Sequence, residues 1–411
     1  MRDTEWTKVL GWPGYRVWQS EIDEKKKTLR LWVRRKRGNK RLICSGCGCK
    51  VEGIHEICQR EVRDLPVFEF RTTVVVEVYR LRCPECGPRM ERIEQLPSKA
   101  PFSKRFEEEV GRACESAAAR RVARRFKLAE STVRAIDLRY LERWAAKRKK
   151  PALRQMGVDE IHIGKKQKFL TVVCNLETGE PLWFGRERKK ETLDAFFEEE
   201  LSPRQRRNIT AACVDMWEPF RLSIEQWAVN CRIVYDKFHV MQHANEAVDE
   251  VRRAEFFRKG GGQRGLVKGK RWLLLTRWVH LAAGKRQQLN ELFALNRKLL
   301  KAYLLKESLD RLWTYTYEGA MLNYLQSWIA QLRWQRLEPF QKLADLLLKH
   351  LDGILNYCRT KVRMGVVEAV NGNIKTLLRR GRGYSNLRYL LLKAQRMAAT
   401  RTEFVAFKKA A

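Results

Sequence analysis

Asp215 and Asp236 end the apolar runs ITAACVD and CRIVYD, and Asp159 lies near the middle of a third, MGVDEIHI. Carboxylates carried by buried strands are what metal-dependent phosphoryl transfer requires. Two hard oxygen donors a few ångströms apart suit Mg²⁺ or Mn²⁺. Such ions activate a water or a 3′-hydroxyl and stabilise the leaving oxygen at phosphorus. A single aspartate in such a place also reads as a turn residue or a helix cap. Two of them, Asp159 and Asp215, 56 residues apart, argue for a shared site if the fold brings their strands together. Glu368 sits in MGVVEAVNGNIK, where Glu368, Asn371 and Lys375 fall at i, i+3 and i+7 on one helix face. A glutamate reaching the metals from that helix, with Lys375 available for a phosphate, fits the missing ligand; on its own Glu368 is a solvated helical glutamate.

The elements around these acids follow from periodicity. MGVDEIHI, FLTVVCNLE and GEPLWFGRE read as strands, the last two joined by the turn Glu177-Thr-Gly-Glu180. ETLDAFFEEEL reads as a helix, ITAACVD as a strand, EPFRLSIEQWA as a helix and CRIVYD as a strand. Three antiparallel strands followed by alternating helix and strand is the order of an RNase H-like sheet, in which the first and fourth strands lie side by side. That order would bring Asp159 and Asp215 together. Residues 244–365 carry helix-period apolar residues throughout. Their tryptophans (272, 278, 313, 328 and 334) are expected mainly in the core, and the glycine-rich RKGGGQRGLVKGK is expected to be a basic loop touching DNA.

Cys44-Ser-Gly-Cys47 and Cys83-Pro-Glu-Cys86 form two CxxC knuckles separated by 35 residues. Four thiolates at that spacing converge tetrahedrally on one zinc, a closed and therefore structural site. Between them VFEFRTTVVVEVYRLR has strand character, and YRVWQSEI and TLRLWVRR flank DEKKK as a hairpin. Cys49 and Cys58 are spare, and His55 reads as a surface residue in the loop.

Residues 104–150 change to helical character. KRFEEEVGRACE, SAAARRVARRF and STVRAIDLRYLERWAAKRKK give three helices, with Lys127-Leu128-Ala129-Glu130 as the turn before the third and Ser131 as its N-cap. Arg120, Arg121, Arg124, Arg125 and Arg134 fall outside, and the pattern resembles a helix-turn-helix for DNA, with Ser131 and Thr132 at the start of the third helix. A plain helical linker is the alternative.

Composition agrees with a polyanionic partner. The 411 residues carry a net charge of +36, and residues 1–50, 112–150 and 375–396 hold +9, +9 and +7 of it. Arg379 and Arg380 belong to the last stretch. No apolar run approaches the ~20 residues of a membrane span, and the N-terminus lacks the apolar core of a secretory signal. Eleven cysteines are therefore expected in a reducing, cytoplasmic setting, where metal ligation is favoured over disulfides.

The stretches CSGC, CPEC, SAAARRVARRFKLAESTVRAI, GVDEIHI, AACVDMWEPF, YDKFHVMQHANEAVDEVRR and VVEAVNGNIKTLLRRGRGYSNLRYLLLKA make the whole chain resemble the bacterial insertion-sequence transposases of the ISL-three family. The resemblance implies a multidomain α+β protein: a zinc ribbon (1–100), a helix-turn-helix with a basic hinge (101–150), and an RNase H-like catalytic domain. That domain is split into 151–243 and 366–411 by an all-helical insertion (244–365). It implies a DDE triad of Asp159, Asp215 and Glu368 with Mg²⁺ or Mn²⁺, structural Zn²⁺, and an Asp-x-x-His element at Asp236 and His239. From the residues alone, that pair positions a phosphate or leaving group, or merely caps a helix. The partners implied are double-stranded DNA, as terminal inverted repeats and target, and a second copy in a homodimer or higher oligomer. A catalytically silent DNA-binding regulator and a structure-selective nuclease on the same fold are the rival readings.

Overall fold

The computed structural model describes residues 3–38, 42–97, 100–149, 151–163, 169–258 and 267–400. Two compact units divide the chain, Met1–Arg148 and Lys149–Ala411.

The first unit opens with a helix that the sequence reading did not anticipate, α1 (Asp3–Leu10), then β1 (Tyr15–Asp23) and β2 (Thr28–Arg35), the expected hairpin. β3 (Ile54–Arg63), β4 (Arg71–Cys83) and β5 (Gly87–Met90) complete a five-stranded sheet of order β1-β2-β4-β3, with β5 on the end of β4. Alternation along β2 and β4 turns Leu29, Leu31, Val33, Val74, Val76 and Val78 into one core with Trp6, Leu10 and Trp12 of the N-terminal segment. His55 lies on β3 rather than in a loop, and is exposed as expected.

Three helices follow: α2 (Lys104–Ser116), α3 (Ala119–Phe126) and α4 (Glu130–Lys147). Phe106, Val110, Val122, Phe126, Val133 and Ile136 form their core. Buried Glu107 accepts from Arg139 and Arg143, tying α2 to α4. Buried Asp64, just after β3, accepts from Trp12 Nε1 at 3.0 Å, Ser103 Oγ at 2.6 Å and Arg105 Nε at 2.7 Å. These bonds join sheet and helices, because an unpaired buried carboxylate would cost several kcal/mol. Ser131 is not the cap of α4: the N-cap position is Ala129, with no side-chain bond, and Ser131 sits within the first turn. Lys127 takes the left-handed conformation (φ 50°) that ends α3, which moves the helix start earlier than the Ser signal implied.

The second unit is built on β6 (Gln155–His162), β7 (Phe169–Asn175), β8 (Glu180–Arg186), β9 (Ala211–Val214) and β10 (Arg232–Tyr235), in the order β10-β9-β6-β7-β8. β6 pairs parallel with β9 and β9 parallel with β10; β6, β7 and β8 are antiparallel. One face, with Met156, Val158, Val173, Ala212 and Val214, packs on α5 (Lys190–Glu200), α7 (Glu218–Trp227) and α8 (Lys237–Arg258); the short α6 (Pro203–Arg207) lies between α5 and β9.

The same core runs on without a break into α9 (Arg271–Leu275), α10 (Ala283–Leu295), α11 (Arg297–Leu309), α12 (Glu318–Leu332) and α13 (Glu338–Lys349). α14 (Leu351–Thr360) packs on β10, with Asn356 Nδ2 donating to the Ile233 carbonyl at 2.9 Å. The other sheet face, with Ile161, Leu170, Val172, Cys174, Cys213 and Val234, is covered by α15 (Val366–Gly381) and α16 (Leu387–Thr400). Trp313 and Trp328 are buried as expected, but Trp272 and Trp334 are 72% and 86% exposed, so the core reading fails for those two. The glycine-rich loop falls largely at 259–266, outside the described residues. Among the described residues no helix is long and apolar enough to cross a membrane.

Candidate active site

Strand register aligns the acids. Gly157 on β6 pairs with Cys213 on β9, and Val214 on β9 pairs with Tyr235 on β10. Continuing those registers by one or two residues sets Asp159, in the middle of β6, in one row with Asp215 and Asp236, which follow the C-terminal ends of β9 and β10. Neighbouring strands are ~4.8 Å apart. Asp236 N extends the ladder, donating to the Val214 carbonyl at 2.9 Å.

Asp159 is held from both sides. Its Oδ1 accepts from the Glu160 amide at 2.8 Å, and its Oδ2 accepts from Asn371 Nδ2 at 2.7 Å. Asn371 lies on α15, one turn after Glu368. Gly157 is what lets α15 come so close: a Cβ there would stand 2.5 Å from Val367 Cγ2. Asp215, buried, accepts from Arg188 Nη2 and, at 3.1 Å, from the Trp217 amide. Arg188 also lies 3.0 Å from Glu160 Oε1 and stacks on the Trp217 ring at 4.6 Å. His239, in the first turn of α8, lies between two acids: Nδ1 is 3.4 Å from Asp236 Oδ2, and Nε2 is 3.9 Å from Asp159 Oδ1. Asp236 also accepts from the Phe238 amide at 3.3 Å, a helix-capping bond.

Electrostatics follow from that crowding. Burial, then the charges of Asp215 and Asp236, raise the Asp159 carboxyl above its ordinary range against the pull of His239. Burial and the Asp215 charge push Glu160 up to about 7 although Arg188 opposes them. Burial works against the His239 imidazolium, yet the Asp236 bond and the charges of Asp159, Asp236 and Asp215 raise it overall. Hard oxygen donors in excess of their cations are a donor set fitted to Mg²⁺ or Mn²⁺. Glu368 is exposed in the first turn of α15, and the oxygens of Asp159, Asp215 and Glu368 do not all come within 4.8 Å of one another.

Arg188, Glu160 and Asn371 are site residues that the sequence reading above does not include among its candidates. Asn371 carried a signal, since it shares a helix face with Glu368. Arg188 carried none, because its partners are 27 and 28 residues away. On α15, Lys375 and Arg379 are exposed and Arg380 is half-buried.

At the other candidate centre, Cys44, Cys47, Cys83 and Cys86 bring their sulfurs within 4.8 Å of one another. Backbone N–H groups of Cys47 and Gly46 draw the Cys44 thiol down to about 7, while the neighbouring Cys47 sulfur pushes Cys86 up to about 12. Four crowded thiols cannot all ionise without a cation, so the set fits Zn²⁺. Exposed Cys49 lies 3.8 Å from Glu85, and Cys47, Cys49 and Glu85 bring their ligand atoms within 4.8 Å of one another beside the four-cysteine set. On the helices, Arg120, Arg121, Arg124, Arg125, Ser131 and Arg134 are exposed and Thr132 is half-buried. Arg125 pairs with Glu109 at 3.6 Å and Arg134 with Glu130 at 2.7 Å.

A four-cysteine ribbon in one unit and an acid-bearing mixed sheet in the other are the parts of a DDE transposase. The chain belongs to the ISL3 family of insertion-sequence transposases. A family model described as "Transposase" matches residues 156–394, and one described as the zinc-finger of transposase IS204/IS1001/IS1096/IS1165 matches residues 40–86. The chain is 33% identical over 388 residues to the transposase for insertion sequence element IS1001 of Bordetella parapertussis, covering 93% of this chain and 95% of that one. It is 25% identical over 382 residues to the transposase for insertion sequence element IS1557 of Mycobacterium tuberculosis (strain H37Rv), covering 85% and 84%.

Proposed function

We propose that this transposase binds the terminal inverted repeats of its element, cuts the DNA there, and joins the freed 3′-hydroxyls to target DNA. Asp159, Asp215 and Glu368 form the triad on an RNase H-like fold that the helices of 244–365 interrupt. The alignment of Asp159 with Asp215 on adjacent parallel strands, with α15 held against Asp159 by Asn371, carries the reading. Divalent ions held by the three acids would activate the attacking oxygen and stabilise the leaving one.

The chain's own residues do the rest. Asn371 fixes the Asp159 carboxylate through Oδ2, leaving its orientation set before any ion arrives. Arg188 balances Asp215 and Glu160. His239, steadied by Asp236, reaches towards Asp159, where it can bind a phosphate oxygen. Lys375, Arg379 and Arg380 extend along α15 as phosphate contacts. In the first unit, α3 and α4 act as a helix-turn-helix, with Arg120, Arg121, Arg124, Arg125, Ser131, Thr132 and Arg134 as DNA contacts, and the four cysteines hold a structural zinc. Both element ends must be joined together, so the working form is at least a homodimer, on DNA in the bacterial cytoplasm.

The test is strand cleavage of end-containing duplex in Mg²⁺ or Mn²⁺. Asp159→Asn and Glu368→Gln should bind the repeat like the wild type and fail to cut. Cleavage by either at the wild-type rate would remove that residue from the mechanism.

A further inference from the structure

The second unit holds a cavity of about 620 Å³ away from the acid row, lined in part by Lys268, Lys270, Trp272, Thr276, His280 and Lys285. No carboxylate lines it, and among the described residues its three lysines have no ion pair. Trp272 is 72% exposed, an unusual cost for the largest apolar side chain. Arg271 stacks on its ring at 5.4 Å, leaving one face covered by a cation that Asp249 holds at 3.6 Å. Three lysines line the same cavity as the indole, which makes it a poor fit for a purely apolar partner. An anion that carries a flat ring suits both.

We propose that this cavity is a second DNA site that takes an unpaired nucleotide, its base stacked on Trp272 and its flanking phosphates held by Lys268, Lys270 and Lys285. The volume is in the range of small-ligand sites. The indole needs an open base face, which a paired duplex keeps stacked within itself, so a strand with an unpaired base is preferred. Stacking on an aromatic ring is tolerant of base identity, and the site should read strand exposure rather than sequence. The inference rests on the reading that the chain handles DNA strands, but it requires neither metal nor cleavage.

The experiment uses the full chain, without added divalent ions, and two duplexes of the same sequence. One is fully paired; the other carries a short unpaired stretch with 2-aminopurine. Fluorescence anisotropy gives affinity at several salt concentrations, and 2-aminopurine quenching reports stacking. Trp272→Ala should lose roughly 5- to 100-fold in affinity for the unpaired DNA, together with the quench, and leave the paired duplex unchanged. Trp272→Phe should keep most of both. Lys270→Gln and Lys285→Gln should each reduce the salt slope by about 1. An unchanged affinity in Trp272→Ala, an equal loss on both duplexes, or an equal loss in Trp272→Phe would overturn the proposal. None of these outcomes bears on whether Asp159 and Glu368 cut DNA.

Discussion

Gly157→Ala changes no acid, yet it should disable the site by moving the helix that completes it. The added Cβ would stand 2.5 Å from Val367 Cγ2, 2.8 Å from Leu176 Cδ2 and 2.9 Å from Cys174 Sγ, where ordinary contact begins near 3.4 Å. All three neighbours are buried in the core between β6, β7 and α15, so none can swing into solvent. α15 must therefore recede by about 1 Å, taking Glu368 with Val367, and a displacement of that size costs roughly 100-fold in rate. Overpacking of this kind costs ~1–3 kcal/mol in stability, which leaves the unit folded. The assay is single-turnover cleavage of end-containing duplex, with melting temperature and repeat binding measured beside it. Binding should be unchanged, melting modestly lower and cleavage about two orders of magnitude slower. Adding Val367→Ala, which removes the closest clash, should restore part of the rate. Wild-type cleavage by Gly157→Ala would show that the placement of α15 against β6 does not set the active geometry.

Arg188→Met leaves Asp215 and Glu160 without their shared cation. It should cost about 1–3 kcal/mol without divalent ions, less than a fully buried pair because Arg188 keeps 29% of its side-chain exposure. Added Mn²⁺ should recover part of the loss in thermal melts, and a melt equal to wild type would refute the balancing role. Cys83→Ser should abolish zinc retention and repeat binding together, since folding of such a ribbon is coupled to its metal; elemental analysis of the wild type without zinc would refute the site. Lys306, only 1% exposed, donates to the carbonyls of Leu274, Leu275 and Thr276 at 3.1, 3.4 and 3.4 Å. Lys306→Met should destabilise the helical region by ~1–3 kcal/mol by orphaning those carbonyls. Burial holds the Lys306 ammonium below its ordinary range. Between its folded value and 10.5 the unfolded chain binds a proton the folded one has shed, so this group's contribution to stability rises with pH there. The variant should lose that rise in melts taken across alkaline pH.

Local signals made the scaffold legible, and non-local pairings hid the rest. Short continuous apolar runs mark the strands of the second sheet, buried on both faces, and the alternation of helix and strand after β8 is that of parallel crossovers, which put β9 beside β6. CxxC spacing marked the four clustered cysteines. The start of α4 was misplaced because a serine is a strong capping signal in isolation, while the left-handed Lys127 that ends α3 leaves no sequence mark. Trp272 and Trp334 fall outside the core because helix periodicity shows that a face is apolar, not that something covers it. Arg188 was invisible because an ion pair across 27 residues depends on how the loop after β8 returns over β9.

The sign of the charge at the acid row sharpens what the fold demands. Among the described residues, the ion-pair partners of Asp159, Glu160, Asp215 and Asp236 are Arg188 and His239, inside a chain of net charge +36. The net positive charge of the chain favours phosphates, whereas this row of acids opposes them. Burial first, and the neighbouring carboxylates after it, hold the Asp159 and Glu160 carboxyls above their ordinary range. DNA attracted by the net positive charge would therefore meet a local barrier at the acid row. Asp159, Asp215 and Glu368, if they hold a divalent ion, would have their charge offset by it, so metal and scissile phosphate should bind this site cooperatively. The Trp272 cavity, with three lysines and no acid, needs no such neutralisation and can hold a strand before the acid row is ready for it.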